Sequence, residues 1–380
     1  MKKFNPLRLT EARLASGMTM ASLSERIGVS RQAVSIFEKG AKCPTHENLE
    51  KIARELGVDT AFLYAPSRTI KEITTPSHFR SFKTAAKKSR TKATIQEAWF
   101  AEFSQYLLSK INYPGANIYK SSFLDFSLLS NEDIESIALE TRRHWGLGSG
   151  PLSNVTRLLE NNGVLIAQLT MDKTTQAFSN WRGDLAYIVT EKGNSNARHR
   201  FNLAHELGHL VMHSSVSDED HEDDELVQQK EDQANYFASA FIFPKNSFLQ
   251  EFTSCSLDAL IALKRRWGIS IAAITVRARN LGLISENQSV YVFKQLAGLP
   301  GGRKQEPLDK ETPKESSKLV SEMIDFLVSN GRLSTDEIRS LLPLPVPRLA
   351  EMSGKSAEYF MPPEHSSSNV ISFQLKRASS

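Results

Sequence analysis

The amino-acid sequence predicts an α+β protein, in which an all-α N-terminal domain precedes a mainly helical domain with a small β-sheet. Three observations support this class. Short segments between residues 6 and 65 begin at capping residues and end at glycines, as short helices do. Longer segments with helical spacing of apolar residues fill most of the remaining chain. Two short apolar runs, VLIAQL and LAYIVTE, have the length and composition of strands.

The predicted N-terminal domain, residues 1–65, consists of short helices around one small core. Thr19 caps a helix that ends at Gly28, and Ser30 caps the next helix, which stops at Gly40. Gly28 suits the turn between two crossing helices because glycine tolerates backbone conformations that other residues avoid. The apolar residues expected to form the core are Leu23, Ile27, Val34, Ile36, Leu49, Ile52, Ala53 and Leu56.

Charge is unevenly distributed along the chain. The formal net charge is +4, but residues 1–95 contain 18 Lys and Arg against 8 Asp and Glu, a net of +10. The remainder has 29 against 35, a net of −6. A basic N-terminus before an acidic body predicts that nucleic acid contacts the N-terminal region only. Residues 66–95 are predicted to be a basic linker, although they could also begin a helix that continues through EAWFAEFSQYLL.

The second predicted domain covers residues 96–300. Helical spacing and capping predict helices at 131–145 and 154–162, followed by the strands VLIAQL and LAYIVTE. Further helices are predicted through KEDQANYFASAFIF, SLDALIALKRRWG and SIAAITVRARNLG. Residues 301–380 are predicted to be a helical extension, with helices at about 316–329 and 335–342 and a disordered tail in the last fifteen residues.

The third N-terminal helix carries residue types that suit base recognition. It opens with Ser30, Arg31, Gln32 and Ser35. Arginine pairs bidentately with guanine and glutamine with adenine in the major groove, so these four residues are candidate contacts to double-stranded DNA. A helical protein-docking domain with a solvated polar face is the competing interpretation, and the local basic excess argues against it.

The segment RFNLAHELGHLVMH combines an apolar helical pattern with three histidines and one glutamate. Residues four apart lie on one helix face, so His205 and His209 point the same way and can bind one metal ion together. Glu206 is displaced to the side of this pair, where it can act as general base on a water at the metal. A helix whose histidines only hydrogen-bond in the core is the competing interpretation.

A third metal ligand is expected from the helix EDQANYFASAFIFP. Glu231 opens this helix, and the small residues Ala234 and Ala238 allow it to approach the histidine pair closely. Glu231 would complete a site of two histidines and one glutamate, with one position left for water. Glu225 and Asp232 are the competing ligands.

Two other features of this region favour ordinary structural roles. His213 lies on the next turn of the motif helix and could be an oxyanion donor or support a ligand, but a core or surface histidine is the favoured interpretation. The acidic run 218–225, DEDHEDDE, lacks the alternate spacing and the turn glycine of a calcium loop. A solvated loop is expected there.

Both sets of motifs resemble known families. TMASLSERIGVSRQAVSIFEKG resembles the helix-turn-helix of XRE/Cro-type repressors over residues 7–65. RFNLAHELGHLVMH followed by EDQANYFASAFIFP resembles the ImmA/IrrE metallopeptidases, a compact gluzincin type, from about residue 130 to 285. The second resemblance implies that His205, His209 and Glu231 are Zn²⁺ ligands and that Glu206 is the general base.

The combined resemblance implies a DNA-binding regulator with a zinc endopeptidase domain. Such a protein is expected to bind a two-fold operator as a homodimer and to cleave a repressor protein, which would release stress, phage, mobile-element or defence genes. The alternative is a non-proteolytic transcription factor or antitoxin that keeps the zinc domain as a sensor or docking module. Glu206 favours the enzyme, because a sensor does not need a general base.

Composition excludes several other classes. No apolar run approaches the length of a membrane span, and the start MKKFNPLRLTEARL lacks the apolar core of a signal peptide. Cys43 and Cys255 are the two cysteines of the sequence, which argues against a disulfide framework or a cysteine-built zinc site. A cytoplasmic location is therefore expected.

Overall fold

The computed structural model describes residues 3–67, 85–121, 123, 125–171, 177–213, 224–341 and 343–361. Helices dominate these residues, and three strands form one small sheet. The predicted α+β class is therefore confirmed. Within the described ranges, every helix is too short or too polar to cross a bilayer.

Four helices form the N-terminal region: α1 (Pro6–Ala15), α2 (Met20–Ile27), α3 (Arg31–Glu38) and α4 (His46–Leu56). The side chains of Thr19 and Ser30 accept hydrogen bonds from the third residue of α2 and of α3, at 3.0 and 3.1 Å. These contacts confirm the predicted caps. Gly28 ends α2 with a φ of 72°, the left-handed conformation that the turn requires.

The prediction that Ile36 belongs to the core of this region is wrong. Ile36 is 42% exposed, whereas Val34 and Phe37 are the buried residues of α3. Residues 34 and 37 are three apart and share the inner face of the helix, while residue 36 projects about half a turn away from residue 34. The other predicted core residues are buried.

Helix α5 (Ala85–Leu108) is a single long helix. It begins inside the predicted linker, so residues 85–95 of that segment are helical, as the alternative interpretation allowed. Residues 68–84 lie outside the described residues. The division at residue 95 stays a prediction.

Buried polar contacts hold α1 against α5. The guanidinium of Arg8 donates hydrogen bonds to Glu11 at 2.7 Å and to Glu102 at 2.6 Å. The indole N–H of Trp99 also donates to Glu11, at 2.9 Å. Arg8 and Glu11 are both fully buried. Because a buried charge is costly without its partner, these contacts fix the N-terminal helices on α5.

The sheet has the strand order β1-β3-β2, with β1 (Val164–Leu169), β2 (Ala177–Arg182) and β3 (Leu185–Glu191). Strands β1 and β3 are parallel and have the bounds that the sequence predicts. Strand β2 pairs antiparallel with β3, and the sequence did not predict it as a strand. Its six residues, AFSNWR, are all half-buried and lack the alternation of apolar and polar residues that marks a strand.

The two faces of the sheet contribute to two hydrophobic cores. On one face Leu165, Ala167 and Tyr187 belong to the core that also contains α5, the N-terminal helices and the C-terminal helices. On the other face Ile166 and Ile188 belong to the core that contains the motif helix. This alternation follows from strand geometry, in which successive side chains point to opposite faces.

Eight helices build the rest of the second region among the described residues: α6 (Asn131–His144), α7 (Val155–Asn161), α8 (Asn196–Met212), α9 (Asp224–Ile242), α10 (Lys245–Glu251), α11 (Leu257–Trp267), α12 (Ile271–Asn280) and α13 (Glu286–Ala297). The predictions included all of them except α10 and α13. Residues 214–223, which include most of the acidic run 218–225, lie outside the described residues.

Beyond residue 300 the chain packs on both cores. Helices α14 (Leu319–Ser329) and α15 (Thr335–Leu341) confirm the two predicted patterns, and α16 (Val346–Ser353) was not predicted. The connecting segment (residues 305–318) places two glutamates against the second core. Glu306 caps α12 and pairs with Lys264 at 2.9 Å, and Glu315 pairs with Arg200 of α8 at 2.5 Å. The predicted disordered tail lies outside the described residues.

Candidate metal centre and nucleic-acid surface

Helix α8 carries the histidine pair on its outer side. Ser195 caps the helix, and its inner face consists of the fully buried Leu203 and Leu207. The side chains of His205 and His209 are 14% and 22% exposed. The helix thus presents both imidazoles at the protein surface while its apolar face is fixed in the core.

Helix α9 lies close enough to α8 to bring Glu231 to the histidines. Ala234 and Ala238 are fully buried between neighbouring elements. On α8, a Cβ at Gly208 would lie 3.0 Å from the ring of Phe237, so a larger residue would push the two helices apart. The small residues therefore set the spacing of the candidate ligands.

The spacing of the three side chains suits one metal ion. The Nε2 atoms of His205 and His209 lie 3.1 Å apart, and the carboxylate of Glu231 lies 3.3 Å from the first and 3.7 Å from the second. Tetrahedral zinc with ligand bonds of about 2.0–2.1 Å separates its ligand atoms by about 3.3 Å. Among the described residues, His205, His209 and Glu231 form the group whose potential ligand atoms all lie within 4.8 Å of one another, and Glu225 and Asp232 do not belong to it.

Each candidate imidazole ligand is held by a hydrogen bond through its other nitrogen. His205 Nδ1 lies 3.0 Å from Oδ1 of Asn235, and His209 Nδ1 lies 2.9 Å from Nδ1 of His213. His213 continues to Gln233, with Nε2 2.9 Å from Oε1. A ligating histidine is usually oriented by such a bond, because it fixes the tautomer and the ring.

The protonation state of His209 suits metal binding. Burial and, to a smaller extent, the neighbouring His205 and His213 together lower the pKa of His209 to about 3. His209 is therefore neutral at pH 7, the form in which imidazole binds metals. Burial also acts to lower the pKa of His205, but the hydrogen bond to Glu231 and the carboxylates of Glu206 and Glu231 outweigh it and raise the pKa.

Glu206 is buried beside the histidine pair and is oriented by the sheet. The hydroxyl of Ser179, on β2, donates to Glu206 Oε2 at 2.6 Å. Trp181 of the same strand donates its indole N–H to the backbone carbonyl of Leu210, at 3.1 Å, which fixes β2 along α8. Burial raises the pKa of Glu206, against the lowering effects of His205 and Ser179. A raised pKa lies closer to neutral pH, where a general base is most effective.

A cleft of about 1240 Å³ lies between α8, α9 and α12. Its lining includes Asn235, which bonds His205, and Asp232, which follows Glu231 in the sequence, but the three clustered side chains do not line it. Many of its lining side chains are amides, which can both donate and accept hydrogen bonds. They include Asn131, Asn202, Gln228, Gln229 and Asn280.

The candidate DNA contacts lie on the outer surface of α3. Arg31 and Gln32 are exposed, and Ser35 is half-buried. Ser30 is exposed too, and its oxygen accepts the bond from the N–H of Ala33 that caps the helix. The exposed Ile36 lies on the same short helix. Ser30, Arg31 and Gln32 therefore lie at the N-terminal end of an accessible helix, and Ser35 lies about one turn further along it.

Sequence reasoning missed three residues at the metal centre. Asn235 lies four residues after Glu231, so helical spacing alone could have placed it on the same face. Gln233 and Ser179 had no such signal. Gln233 is buried and acts through His213, while Ser179 comes from the unpredicted strand β2.

Comparison with known proteins agrees with the two motif assignments. Residues 9–63 match the family model described as helix-turn-helix. Residues 159–279 match the model of a peptidase family, described as the IrrE N-terminal-like domain. No curated protein matches the chain. The chain therefore joins, in this order, a helix-turn-helix region and an IrrE-like region.

Proposed function

We propose that this fusion of a DNA-binding region and an IrrE-like peptidase region is a transcriptional regulator that acts as a zinc-dependent endopeptidase on a repressor protein. The observation that carries the proposal is the cluster of His205, His209 and Glu231 with Glu206 beside it. The three ligand atoms have separations close to those of a tetrahedral zinc site. The carboxylate of Glu206 adds the base that hydrolysis requires.

The donor set fits zinc better than calcium or magnesium. Two imidazole nitrogens and one carboxylate are typical of catalytic zinc sites, whereas calcium and magnesium prefer oxygen ligands. When bound, a zinc ion polarises a peptide carbonyl and lowers the pKa of a water molecule toward ~7. His205 and His209 would hold it from α8 and Glu231 from α9.

The remaining steps belong to residues of the chain. Ser179 bonds Oε2 of Glu206 and so leaves Oε1 to receive the proton of the attacking water. Glu206 then passes this proton to the nitrogen of the leaving amine, which completes hydrolysis of the peptide bond. The amide-lined cleft would bind the substrate backbone on one side of the scissile bond.

The substrate is proposed to be a repressor protein because the enzyme is joined to a DNA-binding region. A regulator bound at an operator meets the proteins that occupy the same DNA. Residues 66–95 of the chain itself are a second possible substrate, since this segment is polar and basic in sequence. Cleavage of the repressor would release the genes that it controls.

Zinc content and cleavage should change together at the third ligand. The purified protein should carry about one zinc per chain and cut the repressor encoded beside its gene into fragments detected by mass spectrometry. Glu231→Ala should lose both zinc affinity and cleavage, because two imidazoles alone leave the ion weakly held. Glu225→Ala and Asp232→Ala, on the same helix, should keep the zinc affinity and are the matched controls for metal binding, since both residues line the cleft and could alter cleavage. Unchanged zinc affinity in Glu231→Ala would move the third ligand to one of these two residues.

DNA binding should depend on Arg31 in a sequence-specific way. Arg31→Ala should weaken binding to the operator by about 1–3 kcal/mol, because a bidentate contact to one base is lost. Fluorescence anisotropy with operator and random duplexes measures the loss, and Lys51→Ala on α4 controls for a simple change of charge. Equal losses on both duplexes would indicate a phosphate contact. No binding at low salt would favour the protein-docking alternative.

A homodimer should protect two half-sites about one helical turn apart.

A further inference from the structure

A chain of hydrogen bonds leads from the second histidine of the motif into the protein. His209 Nδ1 lies 2.9 Å from His213 Nδ1, and His213 Nε2 lies 2.9 Å from Gln233 Oε1. The chain ends where Gln233 Nε2 lies 2.8 Å from the backbone carbonyl of Phe126. Gln233 is only 6% exposed, so water has little access to replace these bonds.

The backbone carbonyl of Phe126, at the end of the hydrogen-bond chain, sets the direction of every hydrogen bond in it. A carbonyl oxygen can only accept, so the amide N–H of Gln233 donates to Phe126 and the amide oxygen faces His213. That oxygen accepts from Nε2–H of His213, which leaves Nδ1 of a neutral His213 as an acceptor. His209 must then donate through Nδ1–H, and its Nε2 keeps a lone pair on the side of Glu231.

The turn that supplies the carbonyl is itself anchored to α9. Gln229 donates its amide N–H to the carbonyl of Ser127 at 2.9 Å. The ring of Phe126 packs edge-on against His213, with centroids 5.4 Å apart, and the ammonium of Lys230 lies 4.9 Å from the centre of the Phe126 ring. The acceptor therefore has a fixed position relative to the two helices that carry the ligands.

The two imidazoles of the motif are supported differently. His205 donates to the single side chain of Asn235, which is exposed. His209 depends on two further side chains and a backbone carbonyl. A change at His213 or Gln233 should therefore affect His209 and leave the bond between His205 and Asn235 in place.

We propose that His213 and Gln233 are positioning residues that select the metal-binding tautomer of His209 and fix the orientation of its ring. The proposal rests on the proposed function only in taking His209 as a metal ligand. Losing an oriented partner of a ligating histidine typically lowers metal affinity about 10–100-fold. Neither residue needs to contact the metal or the substrate.

The test measures metal affinity without any substrate. His213→Phe keeps a ring against Phe126 but removes the acceptor, and it should weaken zinc binding about 10–100-fold in competition with a chelating dye. His213→Asn offers Oδ1 at the position of the lost Nδ1 and should restore affinity to within a few-fold of wild type. The absorption spectrum of bound Co²⁺ should change in His213→Phe and return toward wild type in His213→Asn.

Variants of Gln233 test the same chain from its other end. Gln233→Leu should weaken zinc binding, whereas Gln228→Leu, at an exposed amide on the same helix, should not. Thermal unfolding of the metal-free variants shows whether each one is folded, and Gln233→Leu replaces His213→Phe if the latter is not. Unchanged affinity in the folded variants would overturn the inference, and so would equal losses in His213→Phe and His213→Asn. Failure of wild type to bind zinc would instead overturn the proposed function.

Discussion

Glu206→Gln is expected to slow peptide cleavage about 10²–10⁴-fold while zinc content and DNA binding stay unchanged. The substitution keeps the size of the side chain and its contact with Ser179, but an amide cannot receive the proton of the attacking water. Glu206 is 5% exposed and is not one of the three clustered ligands, so the metal site should remain intact. The neutral amide also avoids burying a charge, so the variant should fold normally.

The comparison needs wild type, Glu206→Gln and Glu140→Gln, each with the adjacent repressor, with and without operator DNA. Glu140→Gln changes an exposed acidic residue of α6 outside both the cluster and the cleft, and it should cut like wild type. Fragments are identified by mass spectrometry, which also detects cleavage within residues 66–95 of the chain. Persistent cleavage by Glu206→Gln would contradict the mechanism. If wild type cuts neither the repressor nor itself, the non-proteolytic regulator becomes the better account.

Glu315→Ala is expected to destabilise the protein by about 3–5 kcal/mol, the usual effect of leaving a buried charge without its partner. Glu315 bonds Arg200 at 2.5 Å and accepts from the backbone N–H and the hydroxyl of Thr156 at 2.8 and 2.9 Å. The side chains of Arg200 and Glu315 are 4% and 6% exposed. Since Arg200 lies on the motif helix, the substitution should also reduce zinc affinity.

Urea unfolding of the full chain, monitored by intrinsic fluorescence, measures this effect as a lower midpoint. Glu315→Gln keeps an acceptor for Thr156 and removes only the charge, so it should fall between wild type and Glu315→Ala. Glu322→Ala is the matched control, because Glu322 also pairs with an arginine, Arg157, but both side chains are more than 40% exposed. It should cost less than about 1 kcal/mol. A Glu315→Ala midpoint equal to that of wild type would contradict the expectation.

Local patterns in the sequence were sufficient for most of the fold. Capping residues, terminal glycines and apolar spacing gave the helices of the N-terminal region, and the two apolar runs gave the bounds of β1 and β3. Glu231 could be proposed as a ligand because helical spacing and small residues are also local information. Each of these inferences needs only residues within about one element.

The remaining features depend on contacts between distant residues. Strand β2 has no apolar alternation of its own, because α8 and β3 cover it only partly, and so Ser179 could not be placed near Glu206. Glu315 lies 115 residues from Arg200, and its charge gave no sign of burial. Ile36 was assigned to the core because it is apolar, although its position on α3 turns it outward.

The buried contact between α1 and α5 determines whether cleavage of the backbone between them would separate the two parts of the protein. Residues 68–84 join the two helices covalently, but Arg8, Glu11 and Trp99 also join them through buried bonds. Phe62 adds an aromatic contact to Trp99, with ring centroids 5.1 Å apart. A break between residues 68 and 84 would therefore produce a nicked protein whose DNA reader stays attached, rather than two separate molecules. Release of the DNA-binding region would require the loss of these buried contacts as well as of the peptide bond.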